Sequence, residues 1–328
     1  MKSIYFTLCS NNYIPFALSL GSSLQLNEGN SLFVIGLVDK VNSQLNYSLG
    51  RNSLLLPCFD IGCPEFEDML SIYSIVEFNT AVKPFYFEYL FSKFSDIDYI
   101  YYLDPDLYFY GTPKLLDRFS SDFEILLTPN LVHTAMQPTV GEFASLRHGM
   151  FNLGFIGLKR GIESFKLIHW WKERLRKYCL IDKCQGIFVD QKWMDLVPLY
   201  FEKVLVVKEF GWNMAWWNLS ERNLLLNDSG FYVNTVDIPL LFFHFSGYRP
   251  VNSNLTERIS VLDSTYPHNK ALIRLYDDYK NILLSNGYVK FSSVQPGLKF
   301  KEKKESKQSK VKRKIKKIIK KFFRNFIV

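Results

Sequence analysis

Apolar residues in this chain fall into two alternating rhythms. Short continuous runs at Ile4–Leu8, Leu32–Val38, Tyr99–Leu103, Glu124–Thr128, Phe155–Leu158, Val204–Val207 and Leu241–Phe245 have the length of strands buried on both faces. Longer mixed patterns at Tyr13–Leu26, Pro64–Tyr73 and Thr80–Phe94 lie between the early runs, and Gly161–Tyr178, Asp190–Leu196 and Asn269–Ser285 continue them as helices. Alternation of strand and helix through the first half predicts an α/β domain on a doubly wound, largely parallel sheet. No repeat of solenoid or propeller period is present.

The final segment has another rhythm. Val311, Ile315, Ile318, Ile319, Phe322, Phe323, Phe326 and Ile327 trace one stripe on a helix, and Lys and Arg fill the rest of its surface. We therefore divide the chain into a catalytic domain, residues 1–298, and a basic linker with an amphipathic helix, residues 299–328. That helix, about 25 Å long at the usual rise, suits an anionic membrane surface through Val311–Val328. A nucleic-acid arm needs no apolar stripe, so no nucleic acid is expected as a partner.

Charge supports this division. The 328 residues carry 40 Lys+Arg and 32 Asp+Glu, a net charge of +8. Residues 299–328 hold 14 of those basic residues and two of the acidic ones, a net of +12, which leaves the domain at −4. The five cysteines show no zinc-ligand cluster and their odd number argues against a disulfide framework. No apolar run reaches membrane-span length, and the start of the chain is a strand pattern rather than a signal peptide. The expected location is cytoplasmic, peripherally attached to the inner face of the membrane.

Candidate chemistry begins at Asp104-Pro105-Asp106, directly after the run Tyr99–Leu103. Two carboxylates one residue apart point the same way if the backbone between them is extended, and Pro105 biases Asp104 toward that conformation. Ligands in open α/β sheets sit at the carboxyl ends of the strands, so this pair is a candidate hard-cation site. The alternative is a plain turn. His244 ends the run Leu241–Phe245 and is the imidazole best placed to join the pair; His169 is expected only to pack. Gly149, Gly154 and Gly157 suggest close approach of the backbone to a ligand or strand. Asp190 is placed as a helix N-cap, and Lys83 is either a phosphate cation or a helix-start residue. Trp212–Asn218 offers aromatic faces and amides of the kind sugar rings need.

Five of these motifs occur in one order: Asn11-Asn12-Tyr13, Tyr102-Leu103-Asp104-Pro105-Asp106, Phe151-Asn152-Leu153-Gly154-Phe155, Val189-Asp190-Gln191, and His244 with Gly247 three residues on. In that order they resemble the GT-A glycosyltransferases, nearest the family-eight group of glycogenin and bacterial lipopolysaccharide glycosyltransferases, over roughly residues 1–250. The resemblance implies a Rossmann-like sheet, a nucleotide-sugar donor with UDP as the expected nucleotide, and a divalent cation, Mn²⁺ or Mg²⁺, held by Asp104, Asp106 and His244. It implies nucleotide contacts at Asn12 and Tyr13 and sugar contacts at Asp190 and Gln191 near the reacting carbon; Lys83, Asn152 and Gly247 are further candidate donor-binding positions. Retention of anomeric configuration is implied as well. The pattern departs from the family after His244, where Gly247 is followed by Tyr248-Arg249-Pro250; Arg249 is then the candidate diphosphate cation.

The expected reaction is hexose transfer to a glycan or lipid-linked acceptor in cell-surface polysaccharide synthesis. The stretch His133–His148 is expected to contact acceptor or close over donor. Two alternatives stand beside it. One is a metal-dependent nucleotidyltransferase, although Leu8–Asn12 lacks the glycine and cation of its usual loop. The other is a non-enzymatic nucleic-acid or membrane-binding protein using the basic tail.

Overall fold

The computed structural model describes residues 2–28, 31–119, 122–134, 136–137, 139–251 and 269–301. The amphipathic segment Val311–Val328 lies outside the described residues. The chain opens with β1 (Ser3–Cys9), a 3₁₀ turn at Asn11–Tyr13, α1 (Ile14–Glu28), β2 (Leu32–Leu37) and β3 (Ser53–Pro57). Helices α2 (Glu65–Ile72), α3 (Ile75–Ala81) and α4 (Lys83–Lys93) lead to β4 (Tyr99–Leu103), β5 (Leu107–Phe109) and β6 (Ile125–Pro129). Next come α5 (Val140–His148), β7 (Phe151–Lys159) and α6 (Ile162–Leu175). A hairpin of β8 (Ile181–Asp182) and β9 (Ile187–Phe188) precedes the 3₁₀ segment Gln191–Leu196, α7 (Val197–Tyr200) and β10 (Val204–Val206). The remaining elements are β11 (Met214–Ala215), β12 (Leu224–Asn227), β13 (Gly230–Val233), β14 (Thr235–Pro239), β15 (Phe242–His244), α8 (Lys270–Ser285) and α9 (Tyr288–Phe291).

Among the described residues, the main sheet has the order β10-β6-β7-β4-β1-β2-β3. The mostly parallel central sheet flanked by helices that the sequence implied is the one observed: β7 alone runs antiparallel to its neighbours β4 and β6. β1 and β4 are buried along their whole length, as expected of strands covered on both faces. One apolar layer joins α2, α3, α4 and α6 to one face of the sheet; α1 packs on the other. A third cluster sets Phe243 and Phe245 against Tyr276 and Tyr279 of α8.

Packing continues to the end of the described chain. Phe300 lies against the helix-side layer, and the Lys301 amide donates to the Tyr73 carbonyl at 3.0 Å.

Several elements differ from the expectation. Thr80–Phe94 is not one helix but α3 followed by α4, because Pro84 has no N–H to give Thr80 and its ring crowds that carbonyl. Asp190–Leu196 is 3₁₀ rather than α. Strands β3 and β5, the three-stranded meander β12-β13-β14 and helix α5 were not expected.

The arrangement relevant to chemistry follows from two pairings. Antiparallel β7 brings its first residues to the carboxyl end of β4, where the Asp104 amide donates to the Gly154 carbonyl at 2.7 Å. A small sheet, β11-β15-β5, sets His244 opposite Leu107 and beside Ala215. Segments more than 100 residues apart in sequence therefore meet at one sheet edge.

Candidate active site

Asp104-Pro105-Asp106 is a turn, not an extended dipeptide: the Leu107 amide donates back to the Asp104 carbonyl at 3.1 Å. The expectation of extended backbone is corrected, yet the carboxylates still converge. The turn starts β5, and antiparallel pairing with β15 carries the imidazole to the acids; the Phe245 amide donates to the Asp106 carbonyl at 2.9 Å. His244 Nε2 lies 3.1 Å from Asp106 Oδ1 and 3.6 Å from Asp104 Oδ2. One ligand atom from each of the three residues falls within 4.8 Å of the others. His244 is 4% exposed, Asp106 12% and Asp104 29%, so the cluster is buried but open on the Asp104 side.

Electrostatics bind the trio together. Burial alone pushes the Asp106 carboxyl up, but the facing His244 outweighs it and the net shift is downward. Burial lowers His244, and the charges of Asp106 and Asp104 more than reverse that, so its net shift is upward. Two hard oxygen donors and one imidazole nitrogen within a single ion's span fit a divalent cation such as Mn²⁺ or Mg²⁺. The Tyr102 hydroxyl donates to Asp104 Oδ1 at 2.6 Å and fixes that carboxylate from the strand side.

Lys83, the first residue of α4, is turned inward. Its Nζ lies 2.6 Å from Asp190 Oδ2, 3.0 Å from the Leu153 carbonyl oxygen and 4.3 Å from the centre of the Tyr102 ring. Asp190 occupies the N-cap position of the 3₁₀ segment Gln191–Leu196 but makes no capping bond; the side chain reaches Lys83 instead. Burial raises the Asp190 carboxyl, with Lys83 opposing. Val189, just before it, has φ of +41°, a left-handed conformation costly for a β-branched residue. Gln191 bridges two chain segments: its Nε2 donates to the His148 carbonyl at 3.1 Å and its Oε1 accepts from the Leu153 amide at 3.3 Å.

Two cavities meet here. The first, about 390 Å³, is lined by Cys9, Ser10, Asn12, Tyr13, Asp106 and Arg249, among others. The second, about 450 Å³, includes Asn152, Asp190, Gln191, Trp216, Trp217 and His244 in its wall. Val76, Thr80 and Asp104 belong to both. The Arg249 guanidinium stacks 4.8 Å from the centre of the Tyr13 ring and donates to the Tyr13 hydroxyl. Gly247 turns the chain between His244 and Arg249 with φ of +68°, a conformation glycine adopts without penalty.

The other flagged residues are placed as follows. Asn11, not Asn12, is the buried one of that pair; its amide donates to Asp39 Oδ2 at 2.8 Å and to the Lys40 carbonyl at 2.9 Å. Trp212 is core, packed on Phe155 and Phe242, whereas Trp216 and Trp217 line the second cavity. The close approaches expected at the glycines are to side chains: a Cβ on Gly154 would lie 2.4 Å from His244 Cε1, and one on Gly157 would lie 2.8 Å from the Tyr101 ring. His169 is exposed on α6 and does not pack as expected. The stretch before Gly149 is largely helix α5, held by a Thr139–Glu142 capping box, and Gly141, Ala144, Ser145 and His148 line the second cavity. The five cysteines are free thiols. No described helix is long and apolar enough to cross a membrane.

Sequence reasoning missed Thr80, which lines both cavities, and the bonds that Tyr102 and Asn213 make to Asp104 and His244. Residue type and spacing do not mark these contacts, because they depend on which side chains the fold brings together.

No protein-family model matches the chain. It is 26% identical over 264 residues to YfnF of Bacillus subtilis (strain 168), covering 79% of this chain and 86% of that protein. It is 25% identical over 219 residues to YfnD of the same organism, covering 66% of this chain and 68% of that one. Solved structures similar to it include the galactosyltransferase LgtC in complex with donor and acceptor sugar analogs, at 18% identity and a TM-score of 0.49, over 80% of this chain and 96% of that one. Mouse xyloside xylosyltransferase 1 in its apo form matches at 15% identity and a TM-score of 0.42, over 75% of this chain and 98% of that one.

Proposed function

We propose that the chain is a metal-dependent glycosyltransferase that moves a hexose from a nucleoside-diphosphate sugar, with UDP as the nucleotide, to a hydroxyl of a glycan or lipid-linked acceptor. One observation carries this reading. A cluster with the donors for one divalent cation stands where two cavities join, and a nucleotide sugar needs that sequence of nucleoside pocket, diphosphate anchor and sugar pocket.

Held by Asp104, Asp106 and His244, Mn²⁺ or Mg²⁺ would neutralise charge developing on the departing diphosphate. The protein's own groups supply the rest. Asn12 and Tyr13 wall the nucleoside cavity, and Arg249, beside Asp106 in that wall, provides a fixed cation for a phosphate oxygen. In the second cavity the Lys83–Asp190 pair and the amides of Gln191 and Asn152 present fixed polar atoms to a sugar ring. Lys83 and Asp190 are fixed by their ion pair, Gln191 by bonds to His148 and Leu153, and Asn152 by bonds to Gly154 and Asn213, so little ordering remains at binding.

Among the described residues that line the sugar cavity, the carboxylates are Asp104 and Asp190; the first belongs to the cation cluster and the second is tied to Lys83. Neither is free to act as a general base. That supports same-face transfer with retention, the departing diphosphate accepting the acceptor's proton. Trp216 and Trp217 give the cavity apolar faces suited to a pyranose. Residues Val311–Val328 are proposed to hold the enzyme on an anionic membrane beside a lipid-linked acceptor.

Product analysis tests the assignment. Incubation with a nucleotide sugar, acceptor glycans and Mn²⁺ should release nucleoside diphosphate. Pyrophosphate from a nucleoside triphosphate and a sugar phosphate would mark a nucleotidyltransferase instead.

A further inference from the structure

A chain of hydrogen bonds begins at a main-chain amide and ends on the imidazole of the cation cluster. The Gly154 N–H donates to Asn152 Oδ1 at 3.0 Å. A main-chain N–H can only donate, so that atom of Asn152 has to be its oxygen. Asn213 approaches the same oxygen at 3.1 Å and Thr128 Oγ1 at 2.9 Å, so the group it presents there is its NH₂. The other arm of the Asn213 amide, the carbonyl oxygen, then faces His244 Nδ1 at 3.2 Å. An amide oxygen only accepts, so Nδ1 carries the hydrogen. Nε2 is thereby the nitrogen turned toward Asp104 and Asp106.

We infer that Asn213 is a positioning residue that sets the tautomer and the angle of His244, so that Nε2 serves the divalent cation. The inference rests on the metal role proposed above. Geometry around the ring agrees with it. Trp217 meets the imidazole edge to face at 5.2 Å, and Gly154 leaves room for the ring where a Cβ would strike Cε1. Asn213 is 1% exposed and adopts φ of +51°, which asparagine, aspartate and glycine tolerate better than other residues. Metal-ligating histidines owe their orientation to such an outer partner, whose loss typically weakens metal binding 10- to 100-fold.

The test measures Mn²⁺ affinity of the full chain by electron paramagnetic resonance, with melting temperature in EDTA as the control for folding. Asn213→Gly, which removes the side chain without straining the backbone, should weaken Mn²⁺ binding by about 10- to 100-fold. Nitrogen-15 NMR of the His244 ring in wild type gives a second reading that needs no variant: the neutral ring should carry its hydrogen on Nδ1, a result that stands by itself if Asn213→Gly does not fold. Equal affinity in Asn213→Gly and wild type overturns the inference, as does a neutral His244 ring with its hydrogen on Nε2. Wild-type protein that binds no Mn²⁺ overturns the metal reading and this inference together.

Discussion

Lys83 and Asp190 form an ion pair of 2.6 Å with each side chain only 2% exposed, joining the start of α4 to the turn after β9. Removing one partner of a buried pair strands the other charge, which costs about 3–5 kcal/mol. We predict that Lys83→Met lowers unfolding free energy by that amount in urea. Lys83→Met with Asp190→Leu should recover much of the loss, while sugar transfer stays abolished. Equal destabilisation in single and double variants would show that the two charges are not coupled.

Glu124 caps α6 from outside the helix. Gly161 at the N-cap has no side chain to offer, and Glu124 Oε2 accepts from the amides of Glu163 at 2.7 Å and Ser164 at 3.2 Å, with Lys203 on Oε1 at 2.8 Å. Burial pushes this carboxyl up, but Lys203 and the two amides prevail and hold it below its usual value. A depressed carboxyl stabilises the fold above its unfolded pKa, and that contribution fades as pH falls through the lower folded value. Glu124→Gln should cost about 1–2 kcal/mol at pH 7, the gap to wild type closing below about pH 4. A gap that does not change with pH would sink this account of the cap.

Gly154 and Gly157 lie on the same strand but answer to different neighbours. A methyl at Gly154 forces the His244 ring aside, whereas one at Gly157 meets the Tyr101 ring in the core. Gly154→Ala should reduce metal-dependent turnover about 100-fold, as misplacement of a reacting group by an ångström does. Gly157→Ala should lower melting temperature and leave Mn²⁺ affinity near wild type.

The tail prediction rests on sequence pattern. Each Lys or Arg near an anionic surface contributes about 1 kcal/mol, and the apolar stripe adds insertion. Truncation after Lys301, which keeps the Phe300 packing and the Tyr73 bond, should abolish sedimentation with anionic vesicles while turnover of a soluble acceptor persists. Undiminished sedimentation of the truncated chain would contradict the membrane role.

Legibility in the sequence followed local determinants. The strands of the main sheet other than β3 announced themselves because residues such as Ile100 to Leu103 are apolar on both faces, and α8 because its stripe has helical period. The edge strand β3 and the meander β12-β13-β14 are short and mostly half-exposed or exposed, with Leu56, Leu224 and Val233 their buried residues, so they lack the long buried run that marks a central strand. At the site, the acids and His244 carried their chemistry in their residue types. The inward turn of Lys83 depends on a contact 107 residues away along the chain, and the orientation of Asn213 on bonds to β6 and β7. No spacing along the chain encodes such contacts.

The central claim is that a cation held by Asp104, Asp106 and His244 drives release of a nucleoside diphosphate from a sugar donor. A panel of nucleotide sugars, assayed for nucleoside diphosphate with Mn²⁺ and again with EDTA, measures this directly. Wild-type protein should turn over one donor with Mn²⁺ and not with EDTA, and Asp104→Asn with Asp106→Asn should cut that rate by at least about 100-fold in a protein that still folds, the several kcal/mol a catalytic metal supplies. Turnover that is indifferent to EDTA, or that survives in the double variant, would contradict the account.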